Sequence, residues 1–213
     1  PPPPEEAIGR LAAEIRAARR PIVILGLDLE PATSPGPVRA FVEHLGAPVF
    51  VTPKAKGILP EDHPLFFGVC AGVAADPVIV DLFGRADLLV GLGFDPVESD
   101  KIWHHTMRLA SLAPVTIAAG EFRPDVEAVG DIVPGLEALC AERFNAFAWG
   151  EDELRAFRDR MRHALYPRDE AGPRLSPTLV TERLRALCPR GTIMTTDVGA
   201  VKFVVSQVWR AYE

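Results

Sequence analysis

The stretch GRADLLVGLGFDPVE, Gly84–Glu98, decides the fold. It reads as a turn, then a continuous apolar strand from Ala86 to Gly91, then glycines and an acidic turn at the strand's carboxyl end. Short apolar runs bounded by turn residues are strands buried on both faces, the habit of parallel sheets. A second segment has the same form: Pro48 to Val51 is apolar, and Thr52-Pro53-Lys54-Ala55-Lys56-Gly57 follows it. In open parallel sheets ligands sit beyond strand carboxyl ends, so the two tips suggest a crevice for a nucleotide-like or phosphate-bearing molecule. Neither tip carries a residue set able to do chemistry by itself.

Working outward, Ile8, Leu11, Ile15 and Ala18 recur at helical spacing, and Arg19-Arg20-Pro21 ends that helix. Pro21 to Gly26 is another buried strand. Ser34-Pro35 marks a helix start with proline at its first position; Val38, Phe41, Val42 and Leu45 form its stripe, and Gly46 closes it. Asp76-Pro77 repeats the device for a helix over Val78 to Phe83, closed by Gly84. Further strands are expected at Pro114–Ala118 and Glu127–Gly130. Ile132, Leu136, Leu139, Cys140, Phe144 and Phe147 trace one long helix after them. Alternating strands and helices give a Rossmann-like α/β fold, a parallel sheet with helices on both faces.

This domain is assigned to residues 5–147, after a polyproline linker at 1–4. Residues 148–175 read as a helix, Glu151–Leu165, and a polar linker from Tyr166 to Arg174. A new unit opens at 176–213: Ser176-Pro177 caps a helix to Leu187, Thr192–Thr196 reads as a strand, Asp197-Val198-Gly199 stands at its end, and a last helix is still running at the final residue. About 40 residues are too few for an independent core, so the chain is expected to be a piece of a larger protein.

The 213 residues are 48% apolar and 24% charged with net charge −6. That balance argues against a nucleic-acid footprint and against an anionic membrane surface, and no apolar run has the length of a membrane span. Cys70, Cys140 and Cys188 lie far apart without a CxxC pair, as expected of reduced, mostly buried thiols in a cytoplasmic protein.

Gly26-Leu27-Asp28 and Gly91-Leu92-Gly93 invite a dinucleotide reading, but neither completes GxGxxG. Lys54 and Lys56 could meet a phosphate or simply face solvent. Asp95 and Glu98 read as turn and cap chemistry before paired carboxylates. His104-His105 are adjacent and would diverge on a helix, and no cluster has zinc spacing. Ser34, Ser99, Ser111, Ser176 and Ser206 show no nucleophile elbow.

The order of segments resembles the thiamine-diphosphate enzymes of the acetolactate synthase group. The resemblance rests on ARRPIVILG (Ala18–Gly26), APVFVTPKAKGILPEDHPLFFG (Ala47–Gly68), GRADLLVGLGFDPVE with Trp103 downstream, and VEAVGDIVPGLEAL (Val126–Leu139). TTDVGAVKFVVSQVW (Thr195–Trp209) is similar to the opening of that family's cofactor-binding domain, where relatives often carry His at or beside Lys202. The resemblance implies the central domain of a magnesium- and thiamine-diphosphate-dependent transferase or lyase acting on pyruvate or another 2-oxo acid. It implies missing N- and C-terminal domains in the same polypeptide, a full-length homodimer or homotetramer, and no turnover by this piece alone. It places Gly26, Thr52, Lys56, Gly57, Gly91, Gly93, Phe94 and Asp95 along a crevice that holds FAD or ADP in some relatives, and Asp197 and Gly199 near the diphosphate. The arginine-rich turn of FAD-containing relatives is absent after Phe94, so the crevice is expected to be empty or vestigial. A stand-alone nucleotide-binding module, or a non-catalytic structural subunit, is the other reading.

Overall fold

A computed structural model describes residues 1–70, 75–95, 98, 107–117, 123–166 and 175–212. Six strands, β1 (Pro21–Leu25), β2 (Val49–Val51), β3 (Phe66–Val69), β4 (Leu88–Leu92), β5 (Leu109–Ala113) and β6 (Val126–Val129), form one sheet in the order β3-β2-β1-β4-β5-β6. Every neighbouring pair is parallel. This is the doubly wound order, in which the chain reverses direction between β1 and β4.

The alternation of side chains along each strand splits the core in two. Val23, Leu25, Val49, Val51, Val90, Leu92, Ala110 and Leu112 face one layer. There they meet α1 (Glu5–Ala17), α2 (Pro35–Leu45) and α4 (Ile132–Cys140) through Leu11, Ile15, Phe41, Val42, Leu136 and Leu139. Ile22, Ile24, Phe50, Phe67, Leu89 and Leu109 face the other, packed on α3 (Asp76–Phe83) and α5 (Glu151–Leu165). Phe50 anchors that second layer, meeting Phe83 edge-on at 5.1 Å and Phe157 of α5 at 5.8 Å between ring centroids. The helix read with the 148–175 linker is therefore packed into the sheet's second layer. Arg20 ties it down further, stacking 4.3 Å over Trp149 and pairing with Glu153 at 2.5 Å.

The strand expected at Pro114–Ala118 lies earlier, at Leu109–Ala113, where Leu89 pairs with Leu109 and Ala113 with Val129. Proline 114 has no N–H for a ladder, and Val115 is 63% exposed. Strand β3 went unread in the sequence. The long helix expected to reach Phe147 stops at Cys140, and Phe144 and Phe147 pack on the first layer from irregular chain. Thr192–Thr196 forms no strand, because among the described residues no neighbour offers it a ladder; Ile193 is 89% exposed. The last helix, α7 (Ala200–Val208), ends before the chain does.

The prolines at 1–4 are extended, as their rings require, but they are docked. Asp131 N–H donates to Pro1 O at 2.8 Å, and a Cβ on Gly130 would meet Pro3 N at 2.5 Å. Cys70 is buried while Cys140 and Cys188 are half-buried, and none of the three is in a disulfide. Among the described residues no helix is long and apolar enough to cross a membrane.

Candidate functional site

The reversal point between β1 and β4 is where this topology offers a crevice. Here the two strand tips are locked to each other. Gly26 N–H donates to Leu92 O at 3.0 Å and Asp28 N–H to Gly93 O at 2.9 Å. A Cβ on Gly26 would lie 2.4 Å from both Gly93 O and Phe94 Cα. Gly93 adopts φ +56, a left-handed conformation glycine reaches without a Cβ penalty, and its own Cβ would strike Leu29 N at 2.8 Å. Gly91 leaves room for Phe94, whose ring is buried in the second core layer. Gly57, at φ +91, turns the chain after Lys56. Of the predicted crevice residues, Gly26, Gly91, Gly93 and Phe94 are thus held together by packing.

Lys56, read as a crevice cation, is committed elsewhere. Its Nζ pairs with Glu61 and donates to Ser206 O at 2.8 Å in the last turn of α7. The two side chains are 15% and 1% exposed. Burial pushes the Lys56 ammonium down and the Glu61 carboxyl up, each opposed by the partner's charge. Glu61 N–H also donates to Ala211 O at 2.9 Å, and Gln207 Nε2 to Val69 O at 2.7 Å. This group of bonds seats α7 on β3.

The α6 helix (Pro177–Leu187) pairs with α7, and Arg185 joins them. Its guanidinium donates to the carbonyls of Arg210, Cys188, Pro189 and Arg190 at 2.7, 3.2, 2.9 and 2.6 Å. It also stacks 5.1 Å from the Trp209 ring and 4.6 Å from that of Tyr212. Nothing in its helix-interior sequence position distinguished Arg185; its role comes from chain turns on either side.

Asp95 lines a cleft, and Thr52 lies buried beside one of that cleft's carboxylates, Glu98. The cleft, of about 770 Å³, is lined by Leu27, Lys54, Asp95 and Glu98 from the strand tips and by Asp197, Lys202 and Phe203 from the α7 side. Glu98 Oε2 accepts the Leu27 N–H at 2.8 Å. Thr52, fully buried, stands close enough to steady the ionised carboxylate, yet Thr52 Oγ1 and Glu98 Oε1 do not complete a bond of good geometry. Burial raises the Glu98 carboxyl above its ordinary range, and Asp95 adds to the rise, while Leu27 N–H, Thr52 and Lys54 oppose it. Asp28 is raised as well, by burial and then by Asp95. Asp197 is exposed and its Oδ1 accepts Val198 N–H at 2.6 Å; Gly199 precedes α7 at φ +147. Among the described residues no three His, Cys, Asp or Glu side chains stand together to hold a metal ion. Trp103, His104, His105 and Ser99 lie outside the described residues, as does the linker from 167 to 174.

The fold and its reversal-point site define a dinucleotide-type α/β domain with a clamped helical extension. The family model for the thiamine pyrophosphate enzyme central domain matches residues 8–139, and the chain belongs to that family. It is 25% identical to an acetolactate synthase of Bacillus subtilis (strain 168) over 220 residues, 100% of this chain and 38% of the relative. Over 221 residues it is 29% identical to the acetolactate synthase isozyme 1 large subunit of Escherichia coli (strain K12), covering 97% of this chain and 36% of that protein. A probable 2-ketoarginine decarboxylase of Pseudomonas aeruginosa is 33% identical over 142 residues, 64% of this chain and 24% of the relative. The chain thus spans little more than a third of the two synthases.

Proposed function

We propose that this chain is the central scaffold, with the first elements of the cofactor-binding domain, of a thiamine-diphosphate-dependent enzyme acting on pyruvate or another 2-oxo acid. The observation that carries the reading is coverage. The family match ends at residue 139, whereas the two synthases align across 100% and 97% of the chain, through the Asp197–Gly199 loop and α7.

When bound, thiamine diphosphate would supply the carbanion chemistry that decarboxylates a 2-oxo acid. The described residues alone do not fit its magnesium and diphosphate: Asp197 contributes one exposed carboxylate, already bonded to Val198 N–H. What these residues do is structural. The Lys56–Glu61 pair and Arg185 fix the last turn of α7 and the chain that follows it against the sheet.

The parent polypeptide would join this chain to domains on both sides and assemble as a homodimer or homotetramer. Decarboxylation without carbon–carbon bond formation is the alternative within the same chemistry, supported by the 33% identical decarboxylase relative. The test measures carbon dioxide release from pyruvate with thiamine diphosphate and magnesium. The full-length polypeptide should turn over and the 213-residue chain should not; turnover by the chain alone, or a full-length protein indifferent to the cofactor, overturns the reading.

A further inference from the structure

We infer that Glu98 is an internal anion that occupies the phosphate position of the reversal-point crevice, and so determines that this chain excludes nucleotides. The argument begins with main-chain donors. A doubly wound domain binds phosphate through N–H groups that the first strand tip leaves unspent. Here Gly26, Asp28 and Leu29 spend theirs on Leu92 O, Gly93 O and Gly26 O, at 3.0, 2.9 and 3.3 Å, and Gly93 spends its own on Leu112 O at 2.8 Å. Thr52 N–H goes to Leu25 O at 2.9 Å.

The Leu27 N–H alone of residues 26–29 points to a side chain, and that side chain is the Glu98 carboxylate at 2.8 Å. Beside it stand a buried hydroxyl without a completed bond, Thr52 Oγ1, and a cation acting through space, Lys54. A main-chain N–H, a hydroxyl and a lysine make an anion-accepting set. In this chain the anion comes from residue 98.

Charge and space support the same conclusion. The cleft's ionisable lining is Lys54, Lys202, Asp95, Glu98 and Asp197, one net negative charge that falls to neutral without Glu98. At about 770 Å³ the cleft has the size of a cofactor-class pocket, so bulk is not what excludes a nucleotide. Asp28, raised by burial and then by Asp95, is a further carboxyl and brings no compensating positive charge.

The experiment compares the 213-residue chain with Glu98→Ala, using ADP and inorganic phosphate as separate probes by calorimetry and amide NMR. The variant should bind ADP at least tenfold more tightly than the unmodified chain, should gain phosphate binding, and should show its shifts at Leu27 and Thr52. Equal affinity in the two proteins, binding by neither, or tightening with shifts elsewhere overturns the inference. A gain with ADP but none with phosphate also overturns it, because the cradle, not the base, is what Glu98 fills. Should Glu98→Ala fail to fold, the unmodified chain decides: the Leu27 amide must titrate together with the Glu98 carboxyl, at a pH above that of an ordinary glutamate. An amide that ignores that titration sinks the assignment.

Discussion

Replacing Lys56 with methionine tests how the helical extension is held. Lys56→Met keeps the length of the side chain and removes the charge, leaving Glu61, 1% exposed, without its ion-pair partner. Breaking a buried pair from one side costs about 3–5 kcal/mol, because the remaining charge is neither hydrated nor paired. The bond to Ser206 O is lost as well. The cost must depend on pH in a definite direction. Burial already raises the Glu61 carboxyl, and the Lys56 charge is the largest influence holding it down. Without that charge it rises further. A carboxyl whose folded value lies above its unfolded one contributes stability that is complete below the unfolded value and is lost as pH climbs through the folded value. The deficit of Lys56→Met should therefore be largest at pH 8 and shrink towards pH 5. Lys56→Met combined with Glu61→Leu should recover most of the loss, since a well-packed apolar pair often equals a buried ion pair. Urea unfolding followed by circular dichroism reads the global cost, and hydrogen exchange at α7 reads local release. A deficit below about 1 kcal/mol at pH 7 by both, or one that grows on acidification, refutes the reasoning.

Gly26→Ala should cost at least about 2 kcal/mol in urea unfolding, because its Cβ would meet main-chain atoms at 2.4 Å. Gly9→Ala, in the exposed interior of α1 with nothing within 4 Å, should stabilise by about 0.5–1 kcal/mol in the same assay. Phe157→Ala removes a ring from the Phe50–Phe67 cluster and should cost about 3–5 kcal/mol by thermal or urea denaturation. The Arg20 guanidinium holds the Glu153 carboxyl below its usual range. Its stabilisation is therefore complete above the ordinary glutamate value and lost as pH falls through the lowered one, so Glu153→Gln should weaken the chain at pH 7 and converge with it near pH 3.

What was legible in the sequence was whatever followed from local apolar runs and helix punctuation. Strands β1, β2 and β4 are fully apolar and buried on both faces, so their residue types alone mark them. Gly46 ends α2 in the left-handed conformation its position demands. The misplaced and the missed strand have a common cause. Leu109–Ala113 lacks β-branched residues and Pro114–Ala118 has them, yet pairing with β4 and β6 selects the former. Phe66–Val69 holds a glycine at φ +152 and owes its strand to β2. In each case the neighbouring strand overrides local preference. Within the candidate site, the glycines were legible as special positions, but not which neighbour required them. Gly26 and Gly93 fit each other's main chains, a relation between residues nearly seventy positions apart in the sequence. Lys56 was read from its place after a strand; its partner five residues later and its carbonyl acceptor on α7 become visible only when the chain closes.

These relations change what the reversal point does in this chain. A dinucleotide-type sheet has at its β1 and β4 tips a supply of N–H donors and cations that an anionic ligand can use. Here the donors are spent between the tips, one cation is buried beneath α7, and the remaining donor faces Glu98. The main-chain donors are present but spent internally, chiefly between the β1 and β4 tips, while Lys56 is spent on the helical extension. Moving the Leu27 tip to admit a ligand would release Glu98, and moving the chain after β2 would release Lys56 from α7. Beside the closed crevice, the bonds of Lys56 and Gln207 make the sheet a mount for the carboxyl half of α7. A scaffold with that task gains more from closed strand tips than from open ones.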